Sequence, residues 1–266
     1  MLESFAALAV PLQALLAGLF TAAMTAIGSA PVFFTRQVHP RLMAVMLGSA
    51  AGIMLAASYW SLLAPAIRIT GGNWMQPAIG FLLGGGVLLL IDAILPHIHP
   101  ALRDCPSEGV PTNWRRSVLL VLAVMLHNIP EGLTIGVAFG AAASGIPEAS
   151  LTGALVLALG IGLQNLPEGL AVAMPLRCEG LSPLKSFLLG ILSGIVEPLA
   201  ALAGALLSLS MDSAMPYALS FAAGAMIYVV FEELIPEAVA GSDGHYATIS
   251  SMVGFTLMMV LEVALG

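Results

Sequence analysis

The chain has 266 residues, of which 59% are hydrophobic and only 9% are charged, and its mean hydropathy is +1.00. An average soluble domain is about a quarter charged, so this composition excludes a soluble globular protein, and it also excludes a disordered chain. Eight Lys and Arg residues stand against fifteen Asp and Glu residues, which leaves no basic surface for a nucleic acid partner. The composition therefore predicts a protein that sits in a lipid bilayer.

Long apolar runs alternate with polar or Pro/Gly breaks along the whole chain. A bilayer core about 30 Å thick needs roughly 20 apolar residues of helix, and eight runs meet this requirement. The predicted helices 1 to 8 cover about 6–34, 42–67, 75–96, 117–143, 149–175, 183–210, 216–239 and 247–265. These runs are apolar on all faces, unlike the short alternating strands of a membrane β-barrel. The predicted fold class is an all-α membrane protein, with residues 1–266 forming one domain.

The positive charges predict how the chain is oriented in the bilayer. Seven of the eight Lys and Arg residues follow predicted helices 1, 3 and 5, and Arg68 alone follows an even-numbered helix. The positive-inside rule places the charged loops in the cytoplasm, including the longest loop at about 97–116. Both termini are therefore expected on the outer side.

Two internal repeats relate the predicted helices. The string HNIPEG at 127–132 recurs as QNLPEG at 164–169, on predicted helices 4 and 5, which a short loop makes antiparallel. A weaker repeat sets the string AAG at 50–52 of helix 2 against AAG at 222–224 of helix 7. Helix 2 runs outward and helix 7 inward, so we expect a 3+2+3 arrangement, with inverted three-helix repeats around the central pair.

Carboxylates lie within or close to the apolar runs, where ionisable groups are expensive and indicate a functional site. Apart from Lys185 at the start of predicted helix 6, no Lys or Arg lies in the same segments to neutralise them, so they call for cations: metal ions, protons or water in a cavity. The residues are Asp92, Glu131, Glu168, Glu197, Glu232 and Glu233.

The repeated motif indicates which cation is bound. Residues three and four apart share a helix face, so each motif aligns its first two side chains with its glutamate. An imidazole nitrogen with carboxylate oxygens suits zinc and its transition-metal neighbours. Two bridging glutamates can serve two adjacent metal positions, so we expect a two-metal centre. The motif side chains are His127, Asn128, Glu131, Gln164, Asn165 and Glu168.

Other residues extend this predicted site. Glu197 lies before a proline in helix 6 and offers a third carboxylate, and Met54 in helix 2 offers either a soft thioether ligand or simple packing. Glu232 and Glu233 are adjacent, so both cannot face one partner, and they predict a relay or a vestibule.

The cytoplasmic end of helix 3 carries a separate small cluster. Asp92, His97 and His99 form either an exit-side metal contact or a solvated helix end.

Together these motifs resemble those of the ZIP (Zrt/Irt-like) family of divalent metal transporters. The form with glutamine rather than histidine in helix 5, at Gln164, is similar to the prokaryotic GufA-type branch of this family. The resemblance spans the chain and includes GSAAGIMLAAS, LPHIH, GIVEPLAA and EELIPEA in or after helices 2, 3, 6 and 7. It implies an eight-helix transporter that carries zinc, and often cadmium, iron or manganese, into the cytoplasm. It also implies an elevator-type movement, in which helices 1, 4, 5 and 6 move against helices 2, 3, 7 and 8.

The resemblance also implies two ligand sets that share both glutamates. The first metal position would use Met54, His127, Glu131, Gln164 and Glu168. The second would use Asn128, Glu131, Asn165, Glu168 and Glu197. Asn165 is neutral where some relatives carry aspartate, and Glu232 stands where some relatives have histidine, so these two positions depart from the family pattern.

The sequence thus predicts a zinc transporter of a bacterial inner membrane. We expect no enzymatic chemistry, because the HExxH string of a metalloprotease is missing, and we expect no cofactor beyond the transported ion. The sequence leaves a homodimer open. The strongest alternative is a proton or cation channel or pump that uses the same carboxylates and tolerates the loss of His127 and Gln164.

Overall fold

A computed structural model describes residues 2–95, 115–145, 149–210, 214–240 and 244–265. Every regular element in these ranges is helical, and eight helices are long and apolar enough to cross a membrane, which confirms the predicted fold class. These helices are α1 (Val10–Phe33), α2 (Pro40–Ile69), α3 (Met75–Ile94), α4 (Arg116–Ala143), α5 (Leu151–Cys178), α6 (Pro183–Leu209), α7 (Met215–Ala240) and α8 (Gly244–Leu265). A short helix, Leu2–Ala6, precedes α1.

Capping side chains set the start of two spanning helices. The Ser150 hydroxyl accepts a hydrogen bond from the Gly153 backbone N–H at 2.8 Å, and α5 begins at the next residue. Ser182 does the same for the Lys185 N–H at 3.3 Å at the start of α6. Each cap satisfies a backbone donor that has no partner within the helix.

Three spanning helices are irregular near the middle of the molecule. α2 contains a π-helical turn at Ser58–Leu63, and α7 contains another at Val230–Leu234. α6 is interrupted at Ile195, three residues before Pro198, whose missing N–H cannot bond to the carbonyl of the preceding turn. Such irregular turns occur frequently at functional sites, and the α6 break and the α7 turn both adjoin a glutamate.

The eight helices pack as two groups of four. In the first group, α1 packs against α5 and α6, and α4 packs against α6; in the second, α2 packs against α8, and α3 packs against α7. The groups meet mainly through α2 with α5 and through α4 with α7. Hereafter these are the polar group (α1, α4, α5, α6) and the apolar group (α2, α3, α7, α8), named for the side chains that they bury.

The packing has the symmetry of an inverted repeat. Exchanging α1 with α6, α2 with α7, α3 with α8 and α4 with α5 maps each of the main helix pairs onto a main pair, and the α1–α6 pair maps onto itself. Two equivalent glycines carry the closest contacts of the apolar group. A Cβ atom at Gly52 would overlap the Ser251 carbonyl oxygen of α8, and a Cβ atom at Gly224 would overlap the Phe81 carbonyl oxygen of α3. The α2 and α7 π-turns follow these glycines at the same distance along their helices.

The helices differ widely in how much of their length is buried inside the protein. α5 is the central helix, with 78% of its most apolar segment buried inside the protein, whereas the corresponding value is 17% for α8. Since α5 carries the second copy of the repeated motif, that motif lies at the centre of the molecule.

Candidate metal centre

The two copies of the motif face each other across the α4–α5 contact. The Gln164 side-chain amide of α5 donates a hydrogen bond to Glu131 Oε1 of α4 at 2.8 Å. Glu131, Gln164, Asn128 and Asn165 are fully buried, and Glu168 is 7% exposed. The structure thus brings the predicted motif residues into one region enclosed by protein.

α6 adds a third carboxylate beside this pair. The Asn165 amide donates to Glu197 Oε2 at 2.7 Å, and the Thr25 hydroxyl of α1 donates to Glu197 Oε1 at 3.4 Å. The glycines that follow the motif glutamates allow this approach, because a Cβ atom on Gly132 would overlap the backbone of Glu197. Glu197 therefore belongs to the same buried cluster.

The orientation of the two motif asparagines is fixed by carbonyl groups. Asn128 Nδ2 donates to the Ser193 carbonyl oxygen at 2.8 Å, and Asn165 Nδ2 donates to the Thr21 carbonyl oxygen at 3.1 Å. A carbonyl oxygen can only accept, so the amide nitrogen must point toward it in both residues. The amide oxygen of each asparagine consequently points away from these carbonyl groups.

Buried oxygen atoms without a hydrogen-bond partner are concentrated on the two motifs. Each such acceptor costs about 1–3 kcal/mol when it is removed from water and left unpaired. These oxygen atoms have free lone pairs, so they can serve as ligands for a cation. The atoms are Asn128 Oδ1, Glu131 Oε2, Gln164 Oε1, Asn165 Oδ1 and Glu168 Oε2.

Electrostatics favour the same conclusion. Glu131 is repelled by Glu168 and by Glu197 across the cluster. The chain contains no Lys or Arg from 117 to 176, so α4 and α5 supply no cationic side chain between their ends. Buried carboxylates are retained only where a counter-charge or protonation compensates them. The cluster therefore requires either protonation of its carboxylates or a cation that does not come from α4 or α5.

His127 has its observed partner on another helix. Its Nε2 atom lies 2.5 Å from Glu233 Oε1 of α7, and the two side chains are 12% and 7% exposed. The α7 π-turn contains both adjacent glutamates, of which Glu233 is buried and Glu232 is exposed. The adjacent acids therefore have different environments, as their spacing predicts.

The remaining predicted residues that the structure describes lie on α2, α6 and α3, and Glu197 of α6 has been described above. Met54 is completely buried in α2, which packs against α5. Asp92 lies near the end of α3, where it accepts a hydrogen bond from the Tyr228 hydroxyl at 3.1 Å. His97 and His99 lie outside the described residues.

The structure adds residues that sequence reasoning missed. Thr21 and Thr25 of α1 orient Asn165 and Glu197. Glu237, one helical turn beyond Glu233, interacts electrostatically with Glu168. The four-residue spacing of Glu233 and Glu237 could have indicated that both acids lie on one face of α7. Threonines in a membrane helix carry no comparable sequence pattern, so the roles of Thr21 and Thr25 could not be predicted.

Acidic and imidazole side chains alone do not complete a site in this conformation. Within the described ranges, no three His, Cys, Asp or Glu side chains form a group that could hold a metal ion. The amide oxygens of both motifs are additional donor atoms beside these carboxylates. Amide and carboxylate oxygens with one imidazole make a mixed set of hard and borderline donors.

The fold and the site together define a multi-pass α-helical membrane protein with an intramembrane site suited to cations. A family model described as "ZIP Zinc transporter" matches residues 107–262. The "Zinc transporter ZIP11" of Homo sapiens is 38% identical over 96% of this chain and 97% of its own length. The "Zinc transporter GufA" of Myxococcus xanthus is 40% identical over 95% and 98%, and the "Zinc transporter ZIPB" of Bordetella bronchiseptica is 40% identical over 95% and 81%. The chain belongs to the ZIP family.

Proposed function

We propose that this protein transports zinc from the outer side of a bacterial inner membrane into the cytoplasm, through a two-metal centre between α4 and α5. The unpaired buried oxygens on the two facing motifs carry this proposal. The names of the relatives support zinc as the transported ion. Cadmium, iron and manganese are further candidate ions, because the ligand types narrow the choice of metal without fixing it.

In the proposed centre, each position combines donors from both motifs. Glu131 and Glu168 bridge the two ions, and each has one buried carboxylate oxygen without a hydrogen-bond partner. Met54, His127 and Gln164 complete the first position. Asn128, Asn165 and Glu197 complete the second position. This assignment is supported by the amide oxygens of both asparagines, which point away from the carbonyl groups that bind the amide nitrogens.

Release requires that the ion is held loosely. The proposed ligands include no cysteine, and a carboxylate, amide and imidazole set lacks the thiolates of closed structural zinc sites. His127 contacts Glu233, and Glu233 and Glu237 both interact with Glu168, so acidic groups extend from the centre along α7. We infer that these groups receive the ion on its way to the cytoplasm.

An elevator-type movement suits the division of the helices. The polar group carries all proposed ligands except Met54, and it meets the apolar group mainly through two helix pairs. We propose that the polar group moves as a unit against the apolar group. The proposed reaction is transport without covalent chemistry, and the proposed orientation has both termini outside, from the positive-inside rule.

Zinc flux into proteoliposomes tests this function. Purified protein is reconstituted around a metal-sensitive dye, and the wild type is compared with His127→Ala/Glu168→Ala. The control is Glu179→Gln, which removes an exposed carboxylate outside the centre. We expect saturable zinc entry in the wild type and the control and no entry in the double variant. Zinc entry that persists in the double variant contradicts the proposed centre.

A proton or cation channel or pump is the second candidate, because the electrostatically coupled acids Glu168, Glu233 and Glu237 could form a proton relay. The same proteoliposomes distinguish the two functions when they also contain a pH-sensitive dye. Collapse of a proton gradient without zinc entry, retained when His127 and Gln164 are replaced by alanine, supports the channel or pump and excludes the transporter.

A further inference from the structure

A small cavity lies at the charged ends of α1 and α5, away from the metal centre. Its volume is about 250 Å³, and its lining residues are Arg36, Gln37, Arg177, Cys178 and Gly180. The side chains include two guanidinium groups, one amide and one thiol, and no carboxylate. The lining therefore offers hydrogen-bond donors and positive charge to a ligand.

The guanidinium group of Arg177 has one nitrogen with a hydrogen-bond partner and one nitrogen without. Its Nη1 atom donates to the Leu181 carbonyl oxygen at 2.9 Å, which fixes the side chain against the turn after α5. Its Nε atom is buried and has no hydrogen-bond partner. A buried guanidinium N–H without an acceptor costs more than a neutral donor does, so an anion at this atom would be stabilising.

Arg36 is brought to the cavity by the backbone. The Cys178 thiol donates to the Arg36 carbonyl oxygen at 3.0 Å, which ties the segment after α1 to the end of α5. Within the described ranges, neither Arg36 nor Arg177 forms an ion pair, and the neighbouring Glu179 is engaged with a partner of its own. Two arginines thus line one cavity, and neither has an ion-pair partner among the described residues.

The chemistry of the lining suits a phosphate group. A guanidinium group presents a planar fork of donors that matches two phosphate oxygens, and two such forks can hold one phosphate from two directions. The backbone is open here, because Gly180 has a φ of +95° and a Cβ atom would have no neighbour within 4 Å.

The surroundings of the cavity are those of a membrane interface. Phe34 is 91% exposed, and the ring of Phe33 packs at a tilted angle against the ring of Phe187 of α6, with ring centroids 5.1 Å apart. Apolar rings therefore adjoin the basic cavity on the side that carries most of the positive residues. Basic pockets at such positions bind the headgroups of anionic lipids.

We propose that the cavity binds a phosphate group through the guanidinium groups of Arg36 and Arg177. The group belongs either to an anionic phospholipid of the surrounding leaflet or to a soluble phosphate. Because Arg36 follows α1 and Arg177 lies in the last turn of α5, the bound group links the ends of two helices of the polar group. This site is independent of the metal centre, so it stands or falls separately from zinc transport.

Native mass spectrometry of the purified full chain tests this site. The protein is exchanged into micelles that contain equal amounts of phosphatidylglycerol and phosphatidylcholine, and the retained lipids are counted. Inorganic phosphate is titrated into lipid-free samples by calorimetry. The variants are Arg36→Gln and Arg36→Gln/Arg177→Gln, and the matched control is Arg68→Gln, which removes an arginine of the opposite side.

We expect the wild type to retain phosphatidylglycerol in preference to phosphatidylcholine. Loss of one arginine should lower its affinity about fivefold and loss of both about thirtyfold, with no change in Arg68→Gln. Arginine-dependent binding of inorganic phosphate without a lipid preference assigns the site to a soluble phosphate. Binding that ignores both arginines overturns the proposal. The exposed Arg36 side chain makes no hydrogen bond within the described residues, so Arg36→Gln should remain folded even if the double variant does not.

Discussion

The two four-helix groups differ in what they bury. Among the described residues, the polar group contains fourteen of the eighteen buried polar or charged side chains, and the apolar group contains four: Ser58, Ser220, Glu233 and Ser250. Glycine packs against backbone in both groups: Gly52 and Gly224 do so in the apolar group, and Gly132 and Gly169 do so in the polar group. In a membrane, close packing of small residues associates helices without buried polar groups.

This difference indicates that the two groups have different roles at the proposed metal centre. The polar group carries the proposed ligand atoms, which are buried without a hydrogen-bond partner, and a hydroxyl group of α1 and a carbonyl group of α6 orient the side chains. The apolar group is held by backbone-to-backbone seams that involve no ligand. Glu233, in the α7 π-turn, contacts His127 of the first motif. The proposed ligands therefore lie almost entirely on the polar group, whereas glycine contacts hold both groups together.

Loss of either glutamate that is proposed to bridge the ions is the strongest test of the polar group. Glu131→Ala and Glu168→Ala should each lower zinc flux by more than about 100-fold, since loss of a mere supporting residue at a metal site already costs about 10–100-fold. Insertion into the membrane should persist, because each change removes a costly buried charge. Zinc uptake and protein abundance are measured together, with Glu3→Ala as the control. Normal uptake by both variants would remove the basis for the centre.

The glycine seams test the apolar group. Gly52→Ala should destabilise the protein by about 1–3 kcal/mol, because the added Cβ atom overlaps the Ser251 backbone and the helices must move apart. Gly86→Ala is the matched control, since a Cβ atom at Gly86 has open space around it. The thermal midpoint in detergent gives the measurement. Equal midpoints for the two variants would show that the α2–α8 seam is not a tight contact in solution.

The contact between His127 and Glu233 tests the boundary between the groups. His127→Ala should lower zinc flux about tenfold, as expected for an outer ligand or its supporting partner. Glu233→Gln should have a smaller effect, because the amide still offers an oxygen. In a double-mutant cycle, the two changes should be coupled by about 0.5–3 kcal/mol, since the side chains are in direct contact. Strict additivity would contradict a shared step.

The sequence predicts the polar group better than it predicts the apolar group. Glu131, Glu168 and Glu197 stand out because a carboxylate in an apolar run has few explanations, and the repeat places two of them together. The seam at Gly52 could not be assigned a partner, because small residues recur by chance in membrane helices and the contact is with backbone. The repeated AAG string pointed to the symmetry of the packing without identifying the facing helices.

The contacts of single side chains were the least predictable feature. Helical spacing sets His127 beside Glu131, yet its observed partner is Glu233 on α7, which is 106 positions further along the chain. Spacing within one helix cannot indicate which neighbour competes for a side chain. The role of Thr25 was hidden for the same reason, because its hydroxyl reaches Glu197 from a helix with no motif.

Met54→Leu gives the smallest expected effect and the sharpest view of the boundary. The change keeps the side-chain volume at a fully buried position, so stability should change by less than about 1.5 kcal/mol. If the thioether is a ligand, flux should fall a few-fold, about two- to fivefold, and more for cadmium than for zinc, because soft sulfur favours the softer ion. The cadmium-to-zinc flux ratio in one preparation is the measurement. Met226→Leu is the matched control, since Met226 is equally buried at the repeat-related position of α7. An unchanged ratio in Met54→Leu would mean that Met54 only packs, and that the polar group supplies every ligand by itself.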